Sequence, residues 1–235
     1  MVTGVITGVL GSGLGWTARA GYERMLQKRP VAVRVDEDIK IVFPNTPAWI
    51  SFPYFIPQLP ADIPPPPASV FDWWGWAKDN GGRPAIWTES VMTISVRSKA
   101  SVLVDVFDVE IVQAVDAPAG STVFQGTGGA DITTRQISVK LNEFVSSVKY
   151  LDQGGAEHQG GFEFALAPGE FGRLHIAVEA QDRSRLYRWC GKLGLVVNGK
   201  RRTIKIQDEN GQPFVLHGGG EESWFNWNAE NGWTR

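Results

Sequence analysis

The stretch LYRWCGKLGLVVNGKRRTIKIQ, residues 186–207, decides how the chain folds. Two runs rich in aliphatic residues, Leu186 to Val197 and Lys200 to Gln207, flank Asn198-Gly199. A type I′ hairpin turn needs positive φ at both central positions, which Asn tolerates and Gly adopts freely, so this pair predicts an antiparallel hairpin. Ile204 and Ile206 then face one side of the second strand, and Arg201, Thr203 and Lys205 share the other. Nothing in the stretch has the 3.6-residue period of a helix.

The same two-residue period extends upstream. Leu174, Ile176 and Val178 face inward in a strand over Arg173 to Ala180, which leaves His175 and Glu179 on the outside. Met92, Ile94 and Val96 alternate with Thr93, Ser95 and Arg97. Val102, Val104 and Val106 take one face, and Phe107, Val109 and Ile111 take the opposite parity, so a bulge is expected near Val106 to Asp108. Shorter strands are expected around Thr122 to Gln125, Gln136 to Leu141 and Gly160 to Leu166. About nine short strands separated by glycine or proline turns make an antiparallel β-sandwich the expected fold.

Toward the N-terminus the pattern changes. Val31 to Val35 and Ile39 to Phe43 read as strands around the solvated acidic turn Asp36-Glu37-Asp38. A proline-rich strap follows from Pro44 to Pro67, and Trp49, Phe52, Tyr54 and Phe55 between its prolines pack it onto the domain. Ser69 begins a short helix through Asp79, with Phe71, Trp73 and Trp74 on its buried side, and Asn80-Gly81-Gly82 ends it. Residues 1–18 carry no charge and precede Arg19, Glu23, Arg24, Lys28 and Arg29. Residues 1–30 are therefore read as an N-terminal apolar helix, either a membrane anchor or an amphipathic terminal helix, and residues 31–235 as the sandwich domain. Basic residues after the apolar run favour a cytoplasmic location, free or at the cytoplasmic face of a membrane. No basic residue precedes the run, as a secretory signal would require.

The composition excludes several functions. A single cysteine among 235 residues removes any internal disulfide framework and any zinc site built from several thiolates. A net charge of −2 argues against a chain that coats nucleic acid. His158, His175 and His217 lack metal-ligand spacing and read as scattered surface residues. Cys190, inside a strand, reads as a buried inert thiol. No G-x-S-x-G elbow is present, and the glycines from Gly11 to Gly15 do not make a dinucleotide fingerprint. No catalytic residue, metal ligand or cofactor is expected, and the chain reads as a non-enzymatic binding or sensory module.

Two features carry the functional expectation. Lys192, Lys200, Arg201, Arg202 and Lys205 fall on the hairpin with no acid among them, as either a protective charged edge or an anion-binding surface for an acidic protein partner, an anionic lipid or, less favoured, nucleic acid. Trp224, Trp227 and Trp233 lie in a tail that either folds back on the domain or stacks on sugars, the alternative being a carbohydrate-binding module.

Residues from about Thr88 to Phe214 carry an ordered set of short motifs: Gly128-Gly129-Ala130-Asp131 with Thr134-Arg135, then Val139 to Asn142, Trp189, Asn198 to Ile206, Asp208 to Gly211 and Pro213-Phe214. In this order they resemble an uncharacterised β-rich domain common in actinobacterial proteins. That family often carries a short apolar or helical region before the domain. It has no established activity, so the resemblance implies a fold and assigns no functional residue.

Overall fold

The computed structural model describes residues 30–44, 52–97, 100–125, 135–152, 156–158, 162–220 and 224–235. Residues 1–29 of the helix expected over 1–30, residues 45–51 of the strap and the Gly128 to Asp131 motif lie outside them.

The fold is mainly β, with two packed sheets forming a sandwich. One sheet runs β1 (Val31–Asp36), β4 (Trp87–Val96), β10 (Phe171–Ala180), β7 (Arg135–Leu141) and β8 (Ser147–Leu151). All its pairs are antiparallel except β10 with β7. The other runs β12 (Lys200–Ile206), β11 (Arg185–Val197), β5 (Val102–Asp116) and β9 (Phe164–Leu166), with β13 (Phe214–His217) beside the first part of β11. The alternating aliphatics named above meet between these sheets. Met92, Ile94, Leu174 and Ile176 from one sheet join Val102, Val104, Leu193 and Leu195 from the other in one buried cluster.

The hairpin forms as its sequence requires. Val197 pairs with Lys200, and Asn198 and Gly199 have φ of 49° and 75°. Asn198 is also tied to Ser101, donating its backbone N–H to the Ser101 carbonyl and accepting the Ser101 N–H on Oδ1, each at 3.1 Å. A Cβ at Gly199 meets nothing within 4 Å, so the turn demands glycine for its φ alone. Gly199→Val is expected to cost about 1–2 kcal/mol, the penalty of a β-branched residue in the left-handed region. A urea midpoint equal to that of the parent would refute this. The β5 bulge falls at Asp105, skipped between Val104 opposite Leu195 and Val106 opposite Gly194, one residue before the expected span.

A third sheet extends the expected sandwich. It runs β15 (Gly232–Thr234), β14 (Trp224–Asn228), β6 (Ser121–Phe124), β2 (Tyr54–Ile56) and β3 (Arg83–Pro84). With α1 (Ile39–Val42) and α2 (Trp73–Asp79), it encloses a second core containing Ile39, Phe52, Ile56, Trp73, Val91 and Val123. Val91 belongs to β4 and points away from the sandwich core, so this second core covers the outer face of the first sheet.

The expected strand at Ile39 to Phe43 is instead this one-turn α1. Asp38 caps it: its side chain accepts the Lys40 N–H at 2.9 Å, and its carbonyl accepts those of Ile41 and Val42. Ile39 and Val42, three residues apart, are then buried together. The strap folds onto the second core through α2. The indole N–H of Trp73 donates to the Pro67 carbonyl at 3.1 Å, and that of Trp76 to the Pro64 carbonyl at 3.0 Å. Among the described residues, no helix is long and apolar enough to cross a membrane.

Candidate functional site

β11 and β12 bring the five basic residues onto one hairpin and then divide them. Lys192 stands opposite Lys205, a like-charge pair that is unfavourable unless offset. The offset comes from β5 on the other side of β11. Lys192 Nζ lies 3.3 Å from Glu110, and Arg201 lies 3.5 Å from Asp105. That face is a mixed-charge surface.

Arg202 points to the other side, that of Ile204, and makes no ion pair among the described residues, as is also true of Arg97. Lys200 lies exposed at the hairpin tip. Arg97 and Arg202 line one end of a groove between β1 and β12. Two adjoining cavities, of about 560 and 620 Å³, share Val33, Ile204 and Lys205 and together run along β1 and along β12 from Arg202 onward.

Consecutive residues line this groove, 31–36 from β1 and 202–206 from β12, so it opens on the backbone edges of the strands and not on one side-chain face. Among the described residues, β1 is paired only with β4 and β12 only with β11. Each strand therefore offers one unpaired edge of N–H and C=O groups. Leu195 and Val197 supply apolar lining at the Arg97 end. At the far end the lining includes Asp36, Asp208 and Glu209. Burial, reinforced by the Asp208 carboxylate, pushes the neighbouring Glu37 up to about 7. Arg34 pairs with Asp36 there and Lys78 with Glu209, so the groove is basic at one end and mixed in charge at the other.

The tryptophans pack into each other. Trp227 and Trp233 meet at 60° with centroids 4.9 Å apart, and Trp233 stacks on Trp76 at 6.1 Å. Trp224 donates its indole N–H to the Gly220 carbonyl at 3.0 Å and lies edge-on to Phe124. All three are half-buried, and Trp227 and Trp233 pack against the second core.

Two of the three histidines are not at the surface. His175 has the parity expected of it, opposite to Leu174 and Ile176, but the second core covers that face and leaves it 1% exposed. Its Nδ1 lies 3.1 Å from the Glu89 carboxylate, with Phe43 edge-on at 5.1 Å. His217 is 2% exposed and stacks on Phe55 at 4.0 Å. Its Nδ1 accepts the Gly219 N–H at 2.9 Å, which puts the ring proton on Nε2, 3.2 Å from the Pro118 carbonyl. Burial lowers its pKa, so it is a neutral ring with both nitrogens engaged. The Gly218-Gly219-Gly220 run was the available signal, since a Cβ at Gly218 would clash with the Asp182 and Arg183 backbone and one at Gly219 with the Ile86 side chain. His158 is exposed, as expected. Cys190 is buried, and burial raises its thiol pKa.

No family model matches the chain, and no curated protein matches it. Among solved structures, the chain is similar to a protein designated ApaA from Bordetella pertussis. The two are 11% identical, the match covers 80% of this chain and 93% of that one, and the TM-score is 0.30, a level at which neither fold nor function is carried over.

Proposed function

We propose that the chain is a non-enzymatic binding module that takes an extended segment of a protein partner into the groove between β1 and β12. The carrying observation is that Arg97 and Arg202, which have no carboxylate partner among the described residues, flank two strand edges that no described strand pairs. An added strand makes main-chain hydrogen bonds along an edge, while charge at the ends sets its register. Six residues of β1 span about 20 Å, enough for about six residues of ligand. The preferred segment carries an acidic side chain at the Arg97–Arg202 end. The forms of Cys190 and His217 support the non-enzymatic part of the reading, because a protonated buried thiol and a doubly engaged imidazole are poor nucleophile and base.

The test is fluorescence anisotropy with a dye-labelled peptide of alternating valine and glutamate, against its valine–lysine counterpart. The acidic peptide is expected to bind, weaken steeply with added salt, and lose about tenfold or more in affinity in the Arg97→Gln/Arg202→Gln variant. Equal binding of both peptides would overturn the reading. So would salt-sensitive binding confined to anionic vesicles or to a polynucleotide.

A further inference from the structure

A second site is formed where loops from all three sheets meet. Residues 116–120 follow β5, 181–184 join β10 to β11, and 217–220 end β13, and with Phe55 they enclose a cavity of about 930 Å³. Its backbone is fixed by close packing. The N–H of Gly218 donates to the Arg185 carbonyl at 2.7 Å and that of Gly220 to the Arg183 carbonyl at 3.1 Å. A Cβ at Gly218 would lie 2.4 Å from the Asp182 carbonyl oxygen, so this wall tolerates only glycine.

Arg183 lines the cavity and has no carboxylate partner among the described residues. Its Nη1 is packed out of a ligand's reach, which fixes the guanidinium and leaves its other nitrogens to meet one, and the group is held over the Trp224 ring at 5.8 Å. The acids nearby are already committed. Asp116 pairs with Arg185 at 2.6 Å, and Asp182 accepts the backbone N–H and the hydroxyl of Ser184 at 2.8 and 2.7 Å. A positioned guanidinium without a counter-ion is costly unless something else supplies the negative charge.

We infer that this cavity binds a small carboxylate, its anionic oxygens on Arg183 and its apolar body along Phe55, Ala117, Pro118 and Ala119. A guanidinium fork matches a carboxylate in two parallel hydrogen bonds. The chemistry in the wall favours a single charge, since Asp116 and Asp182 repel a doubly charged phosphate more strongly than a monoanion. The aromatic and aliphatic lining favours an acid with a hydrocarbon part over acetate or formate.

The probe is benzoate, titrated into the full chain and followed by amide chemical shifts, with uncharged benzamide and inorganic phosphate as comparisons. Benzoate is expected to give saturable shifts at residues 117, 119–120, 181–184 and 217–220, and benzamide and phosphate to give none there. Arg183→Gln should weaken benzoate about tenfold or more, and Arg183→Lys, which keeps the charge without the fork, should fall between. The titration of the unaltered chain decides the matter even if a variant fails to fold. Equal response to benzoate and benzamide, a stronger response to phosphate, or shifts confined to other regions would each overturn the inference. The peptide groove does not enter this experiment, so either site can fail without the other.

Discussion

Trp73→Ala is expected to lower the stability of the whole chain by about 3–5 kcal/mol, the range for removing a large buried aromatic side chain. Trp73 is 1% exposed and holds together pieces far apart in sequence. It sits on α2, its indole N–H is bonded to the strap at Pro67, and its ring packs against Trp76 at 5.5 Å and the tail's Trp233 at 6.2 Å. Truncation leaves a cavity and also an unpaired carbonyl on the strap. Little relaxation is available, because β2 and β6 fix Ile56 and Val123 in the same core. Urea unfolding of Trp73→Ala beside Trp227→Ala measures the effect. Trp227 is half-buried, and its loss should cost less than half as much. Equal costs, or a Trp73→Ala cost below about 1 kcal/mol, would mean that the second core does not support the fold as its packing implies.

This second core also marks where sequence reasoning stopped. Alternation along β4 and β10 identified which residues face the sandwich core, and Asn198-Gly199 fixed the central hairpin. Such reasoning concerns one strand at a time. It assumes that the face opposite the core is wet, and for His175 that face is dry because α1, Phe43 and Phe52 arrive from elsewhere in the chain. The residues of α1 misled for a related reason. Ile-Lys-Ile-Val alternates as a strand does, and the decisive signal was Asp38 as a cap with Ile39 and Val42 three apart.

The candidate groove was half legible. Arg202 and Lys205 were visible as part of a basic hairpin, but its pairing with β5 carboxylates depends on the β11–β5 register. Arg97 joins it through the position of β1, which no local pattern encodes. The loop cavity was not legible at all, because four segments distant in sequence form it.

Removing either partner of the Glu89–His175 pair is expected to tilt the pH dependence of stability in opposite directions. Burial pushes Glu89 up to about 7 and His175 down to about 4, with Arg173 on the same strand face adding to the second shift. The other charges on this face are tied up, Lys140 with Glu179 at 3.7 Å and, from α1 above it, Lys40 with Asp72 at 2.7 Å. In the folded chain the pair holds one proton between about pH 4 and 7. In the unfolded chain, with the ordinary values of 4.5 and 6.5, it also holds one across most of that interval. Proton counts match, so the intact pair contributes little slope there.

His175→Phe leaves a carboxyl whose folded pKa is raised. Its contribution is complete below about pH 4.5 and lost as pH rises through about 7, so stability should fall by about 3 kcal/mol across that window. Glu89→Gln leaves an imidazole whose folded pKa is lowered. Its contribution is complete above about pH 6.5 and lost as pH falls through about 4, so stability should rise with pH by a similar amount. Both shifts arise from burial first, so each survives loss of the partner. Urea midpoints at several pH values, taken as differences from the unaltered chain, remove the background of every other titrating group. Difference curves that run parallel would show that burial beneath the second core does not shift Glu89 and His175 in opposite directions.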